Sequence, residues 1–441
     1  MKSAYLRTAL CSILFSSAFA WANAFAADHW STVWTAASQG PYPAGVPSGQ
    51  PDLSSTFPNA KIGARNQSFR MIIKPDVFGP QFRIRLSNAF GTRPVTFDNV
   101  TLGVHASAAA IVPGSMRSIL FRGQQHITVA PGTEVWSDPI DSPFGTSRDP
   151  LTLDGRAFAV SFHVVGESGP MTWHAKAMTT SYVSAPDAGA VSAKLDDTDF
   201  PASTTSWFFL DALDAITPED TRVVVALGDS ITDGTASTIG GSDRWVDVLS
   251  RRLHARYHDH IAVVDEGIGG NQILNPTLYS VADPPLGGPS ALSRIQRDVI
   301  SLSGVSDVIW FEGINDLEAG RASPDAVMEG LTTGVAHIRA GLPGVKVMGA
   351  TLTTSLGSKL PHYGSVEVDA RRNVVNGRLA KCGIFDDVID FDSVVTDPST
   401  GKLRDAFVPS STAGAISDDL HPNRRGYQAM GSMIDLSLFS R

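Results

Sequence analysis

The sequence predicts two unlike halves: an all-β, sandwich-like region, followed by an α/β domain of three layers with helices on both faces of a parallel sheet. Three observations point there. Between about 30 and 210, short apolar runs alternate with polar residues and end in turn residues, the pattern of half-buried strands. From about 221 onward, continuous apolar runs take turns with helical stripes, as expected for strands covered on both faces and joined by helices. Three of those buried runs end directly in loops rich in Gly, Asp and Asn, at the strand ends where open α/β sheets bind ligands.

The chain has 441 residues, enough for two or three domains at about 100–200 residues each. We expect a leader at 1–26, a β-rich domain at 27–215 and the α/β domain at 216–441. Lys2 and Arg7 make a basic start, an apolar run follows from Ala9 to Phe15, and Ala22-Asn23-Ala24 and Ala24-Phe25-Ala26 both fit a small-residue cleavage pattern. Cleavage after Ala26 is preferred to cleavage after Ala24. The apolar run is too short and too broken by Ser to span about 30 Å of hydrocarbon, so the expectation is an exported protein, secreted or periplasmic, with no stable membrane insertion. Loss of the two cations Lys2 and Arg7 takes the formal charge from −9 to −11. An acidic protein without a basic run is a poor partner for nucleic acid. Of the two cysteines, Cys11 leaves with the leader, and Cys382 then has no partner for an intrachain disulfide.

In the first half, Phe82, Ile84 and Leu86 alternate with Arg83, Arg85 and Ser87, and Val100, Leu102 and Val104 repeat the pattern. So do Phe158, Val160, Phe162 and Val164, and Pro113-Gly114, Pro131-Gly132 and Asp154-Gly155 supply turns. Residues 185–200 read either as a connector or as one long surface loop of this half. Trp136, Trp173 and Trp207 are candidate glycan-stacking platforms, though such residues more often belong to a core.

In the second half, Val223 to Leu227, Ile261 to Val264, Val308 to Phe311, Val345 to Leu352 and Val388-Ile389 read as strands. Trp245, Leu249 and Leu253 mark a helix stripe, as do Ile295, Val299 and Ile300, and Val327, Leu331, Val335 and Ile338. A helix from about Val366 to Lys381 follows, and Tyr427, Met430, Ile434 and Leu438 predict a closing helix.

Four places carry chemistry. Gly228-Asp229-Ser230-Ile231-Thr232-Asp233-Gly234 follows the first buried strand, which puts Ser230 at the ligand-binding end of the sheet. A lone Ser there would ordinarily cap a helix. Val264 to Asn271 ends the second strand in a glycine-rich turn whose N–H groups can donate to an oxyanion; it lacks the spacing of a dinucleotide site. Phe311-Glu312-Gly313-Ile314-Asn315-Asp316 ends the third, and the Asn315 amide can donate to a developing negative charge. Asp418-Asp419-Leu420-His421-Pro422-Asn423 precedes the closing helix. A His takes a serine proton only if its other nitrogen is held by an acceptor. Asp418, three residues before His421, is placed first for that task, and Asp419 second.

These four blocks resemble those of the SGNH or GDSL family of serine hydrolases, over about residues 221–438. Gly228-Asp229-Ser230 resembles the nucleophile block, Gly270 falls where the second block has its glycine, Gly313 to Asp316 resembles G-x-N-D, and Asp418 to His421 resembles D-x-x-H. More loosely, Leu86 to Gly91 and Gly132 to Asp138 are similar to an all-β region that precedes this domain in some secreted bacterial members. The resemblance implies a carboxylic-ester hydrolase with Ser230, His421 and Asp418 as a triad, an oxyanion hole of Ser230, Gly270 and Asn315, and no cofactor or metal. It also implies an acyl or acetyl ester of a glycan, lipid or small molecule as substrate. Where the family often has Asn, this chain has Asp265, which puts in doubt the hydrogen bonds that an amide would make in that loop. The order Ser, Asp, His is shared with α/β-hydrolases, but the G-x-S-x-G elbow of those enzymes is absent.

Three rival readings remain. His254, His258 and His260 have a spacing that can bind zinc, in a polar segment that reads better as a solvated helix end. The β-rich half is an alternative glycan-binding module, with esterase activity secondary. A hydrolase that has lost activity is the third. Leu274 to Tyr279 and Leu352 to Tyr363 are expected to line the substrate pocket, with His362 either at the surface or on the substrate.

Overall fold

The computed structural model describes residues 28–144, 155–409 and 417–440. The expected leader lies outside them. Among the described residues, no helix is long and apolar enough to cross a membrane.

The second half is a five-stranded, wholly parallel sheet among the described residues. Its order is Ile261–Gly267, Arg222–Gly228, Val305–Phe311, Lys346–Ala350, Asp387–Ile389. The first strand in sequence therefore has the second on one side and the third on the other. That reversal makes a switch point, and the loops after these strands border one crevice. Val223 to Leu227 are fully buried because helices cover both faces. Trp245–Tyr257 packs on Arg424–Met433, which packs on Phe391–Val395. Ala291–Ile295 packs on Pro324–Gly341, which packs on Val366–Leu379.

Two helices differ from expectation. The stripe through Ile295, Val299 and Ile300 begins as α-helix and widens at Gln296–Ile300 into a π-turn, with Ser301 N–H donating to Gln296 O at 3.0 Å. The closing helix stops at Met433, because Ile434 turns extended (ψ 124°) and Asp435 caps a separate turn, Leu436–Phe439, which holds Leu438.

The first half is antiparallel. One sheet runs Asp28–Thr35, Leu210–Pro218, Gln81–Ser87, Glu134–Trp136. A second runs Ala202–Thr204, Ser181–Val183, Arg65–Ile73, Phe158–Glu167, Val95–Val104, Arg117–Ser118. Phe69, Phe97 and Phe162 meet Phe209 between them, with ring centroids 5.3–6.3 Å apart. Residues 185–200 are a surface loop and not a connector, since the strands on either side pair with each other. The fully buried Arg70 pins that loop by donating to Ser192 O at 3.1 Å and Lys194 O at 2.6 Å. Trp173 and Trp207 are buried, with indole N–H groups donated to Ala44 O and Ile72 O, so neither ring offers a face to a glycan. Trp136 is half-buried, with the Arg83 guanidinium 4.5 Å from its ring centroid.

The expected boundary at 215/216 falls inside the strand Leu210–Pro218; the turn at 219–221 leads into the parallel sheet. One hydrophobic core is continuous across both halves. Simple alternation fails at Arg85 for this reason: its side is covered, and it donates to Asp211 at 2.7 Å and to Ser301 of the other half at 3.0 Å. Asp76 accepts from Ser250 (2.5 Å), His254 (3.0 Å) and Val263 N–H (2.6 Å), all across the same junction. His260 pairs with Asp220 at 3.0 Å, and among the described residues no cluster of three metal-binding side chains forms.

Candidate active site

The strand Arg222–Gly228 delivers Ser230 to the first position of a one-turn helix, Ser230–Asp233. Asp229 caps it, accepting from Ile231 N–H at 2.9 Å. Gly228 is required by close approach: a Cβ there would lie 2.3 Å from Thr232 Oγ1 and 2.6 Å from Phe311 O. As the first helical residue, Ser230 has an N–H with no acceptor inside the helix.

Ser230 Oγ lies 2.7 Å from Nε2 of His421, and His421 Nδ1 lies 2.6 Å from Asp418 Oδ2. A carboxylate only accepts, so Nδ1 carries the proton and, in the neutral ring, Nε2 accepts from the Ser230 hydroxyl. Asp418 Oδ1 also accepts from the N–H groups of Leu420 and His421, each at 3.0 Å. Burial works to raise the Asp418 carboxyl, but the imidazole and these two N–H groups outweigh it and hold it down at about 2. Asp419 turns away at φ 55° and pairs with Ser417 and, at 3.0 Å, with Lys359. Two residues after His421, Asn423 fixes the chain: its Oδ1 caps the helix Arg424–Met433 and its Nδ2 donates to Ala406 O and Val408 O.

The other two loops are tied to the nucleophile loop and to each other. Asn315 follows Gly313 (φ 133°) and donates its Nδ2 to Asn271 O at 2.8 Å. Its Oδ1 accepts from Tyr363 Oη at 2.5 Å. Asp316 accepts from the N–H groups of Ile273 (2.9 Å) and Leu274 (3.0 Å). Burial lifts the Asp316 carboxyl to about 6 against those two bonds. Gly270 sits at φ 80°, and no acceptor among the described residues takes its N–H. Ile268 N–H donates to Gly228 O at 3.1 Å, which brings this loop beside Ser230. Asp265 answers for the missing amide by accepting: Oδ1 takes Gly267 N–H at 2.8 Å and Oδ2 takes Arg244 at 2.7 Å.

Two residues of the site carry no motif. Arg294, fully buried, donates to Gly228 O (2.9 Å), Glu266 O (2.8 Å) and Asn271 Oδ1 (2.9 Å), with Asp298 as counter-charge at 3.1 Å. One guanidinium thus clamps the ends of two strands and the loop of Gly270. Tyr363, inside a segment expected to line the pocket, orients the Asn315 amide. Its place in that segment is the only signal the sequence offers for it. His362, beside it, is exposed. A cavity of about 380 Å³ opens next to Gly270, lined by Gln272, Asn275, Pro276, Thr277, Pro285 and Gly287. Cys382 lies away from these residues, bonded to Leu379 O past the end of its helix.

A family model for the GDSL-like lipase/acylhydrolase family matches residues 226–429. Among solved structures, the native aryl esterase of M. smegmatis aligns at 20% identity over 50% of this chain and 99% of its own, with a TM-score of 0.38. A carbohydrate acetylesterase from Sinorhizobium meliloti aligns at 18% identity over 48% of this chain and 95% of its own, with a TM-score of 0.36. The lipase/acylhydrolase from Enterococcus faecalis aligns at 24% identity over 48% and 93%, with a TM-score of 0.35. No curated protein matches the chain.

Proposed function

We propose, from the premise that residues 226–429 form a domain of the GDSL-like lipase/acylhydrolase family and that the protein is an ester-hydrolysing enzyme, that catalysis runs through Ser230, His421 and Asp418. The observation that carries this reading is the unbroken line of contacts from Ser230 Oγ through both imidazole nitrogens to Asp418, at 2.7 and 2.6 Å, with Ser230 and His421 191 positions apart.

In the first step Ser230 Oγ bonds to the ester carbonyl carbon as His421 Nε2 takes its proton. Asp418 holds the ring and stabilises the imidazolium. The carbonyl electrons move onto oxygen, where three donors are offered: the N–H groups of Ser230 and Gly270 and the second N–H of the Asn315 amide. Collapse breaks the ester C–O bond, and His421 returns the proton to the departing alcohol. Water then attacks the acyl-enzyme, with His421 again taking and returning one proton, and the acid leaves.

The substrate is an acyl or acetyl ester of a glycan, lipid or small molecule, and the enzyme acts outside the cytoplasm after loss of residues 1–26. Purified protein should hydrolyse 4-nitrophenyl acetate, and Ser230→Ala should reduce kcat by at least about 10³-fold. A Ser230→Ala variant with wild-type turnover refutes the assignment. A series of acyl lengths alongside an acetylated polysaccharide distinguishes the substrate classes.

A further inference from the structure

Gly269 precedes the proposed oxyanion donor Gly270, and side chains of both halves of the molecule stand against its peptide. Its N–H donates to Asp233 Oδ2 at 2.9 Å. Asp233 closes the short helix that Ser230 opens, so one carboxylate joins the nucleophile turn to the oxyanion loop. Two residues of the β-rich half meet that carboxylate: Lys176 Nζ stands 3.5 Å from Oδ2, and His174 Nε2 3.3 Å from Oδ1. Lys176 also donates to Thr235 Oγ1 at 2.5 Å. A Cβ on Gly269 would stand 2.8 Å from Lys176 Nζ and 3.3 Å from Val46, so the ammonium lies directly against this peptide.

Lys176 is 1% exposed and His174 5%. Nδ1 of His174 faces Ala37 O at 2.8 Å, and Nε2 faces Lys176 O at 3.0 Å as well as Asp233. Both ring nitrogens therefore meet acceptors, and burial, which favours the neutral ring, is outweighed by Asp233. Stability alone does not account for such a group. An ion pair this deep is often matched or bettered by apolar residues of the same volume, because desolvation costs what the attraction returns. What it supplies, and an apolar contact does not, is a fixed carboxylate that holds the Gly269 N–H in one direction. The adjoining loop is braced from the same side: Gln39 Nε2 donates to Leu286 O at 3.2 Å.

We propose that Lys176, with His174, is a positioning residue for ester hydrolysis: it locks Asp233, and through the Gly269 N–H it aims the Gly270 N–H at the oxyanion. The β-rich half is thereby part of the active site, although Lys176 lies outside the residues matched by the family model. This inference rests on the reading of Ser230 and Gly270 given above.

The test uses the full chain, with active sites counted by phosphonate labelling. Lys176→Met removes the ammonium. Because it leaves Asp233 short of a counter-charge, a Lys176→Met/Asp233→Asn double variant is made beside it. In that variant the new side-chain amide oxygen still accepts from the Gly269 N–H, and one charge of each sign is gone. Per labelled site, kcat for 4-nitrophenyl acetate should fall by about tenfold or more, with KM within about twofold and a boronic acid, which mimics the tetrahedral oxyanion, bound weaker by a similar factor. A folded double variant with kcat per site and boronate affinity within about twofold of wild type overturns the proposal, even if its melting temperature falls. Failure of the phosphonate to label Ser230 in the wild-type protein instead removes the underlying reading.

Discussion

Asn315 donates its side-chain amide to the main-chain carbonyl of Asn271 at 2.8 Å, joining the loop after the third strand to the loop after the second. With Tyr363 on the amide oxygen, the group is held at both ends and one N–H is left over. Asn315→Ala should lower kcat by about 10²–10³-fold with a much smaller change in KM, as for loss of a donor that acts in the transition state. Tyr363→Phe, which only frees the amide to rotate, should lower kcat less, by about three- to tenfold. Steady-state kinetics on one ester separate the two.

Neighbouring aspartates should behave oppositely. Asp418→Asn leaves the shape but offers His421 an amide, and kcat should fall by about 10⁴-fold. Asp419→Asn disturbs only Ser417 and Lys359 and should leave kcat within about twofold. Equal losses in both variants would contradict the geometry.

Glu312 makes stability depend on pH. It is buried beneath the site and accepts from Trp310 Nε1 at 2.9 Å; burial lifts its carboxyl to about 8 against the pull of Arg294 and that bond. The unfolded chain ionises near the ordinary value of about 4.3, so above it the unfolded state holds fewer protons and stability falls until the folded value is passed. Each pH unit in that window costs up to about 1.4 kcal/mol. Glu312→Gln keeps an acceptor for Trp310 and removes the titration. Its melting temperature should gain on the wild type between about pH 5 and pH 8, and a constant difference would count against the buried neutral acid.

Arg294→Met removes a clamp on two strand ends and strips Asp298 of one of its two guanidinium partners. Breaking a buried pair from one side costs about 3–5 kcal/mol. A denaturant titration should show a loss of that size, and a loss below about 1 kcal/mol would mean the clamp is dispensable.

Local patterns make much of this legible. The run from Val223 to Leu227 announces a strand covered on both faces, and the stripes at 245–253 and 327–338 announce their helices. Ser230, Asp418 and His421, named from two short blocks far apart in the chain, stand in hydrogen-bond contact. Alternation misreads Arg85, whose outward side is covered by the second half of the chain. Composition leaves Trp173 and Trp207 open between core and glycan platform, and their rings are interior. Period alone makes the closing helix too long, since it does not register the extended turn at Ile434.

Hydrophobic period and loop composition, both properties of residues close in the chain, specified the strands, the helices and the turns that hold Ser230, Asn315 and His421. The partners that hold those turns in place were settled by folding. Arg294 and Gly228 are 66 positions apart, Tyr363 and Asn315 48, and Lys176 reaches Asp233 from the other half of the molecule. A long cationic or phenolic side chain reads the same in sequence whether it meets water or a buried acceptor. Only the close approach of strand ends, which strips water from those groups, makes each contact obligatory.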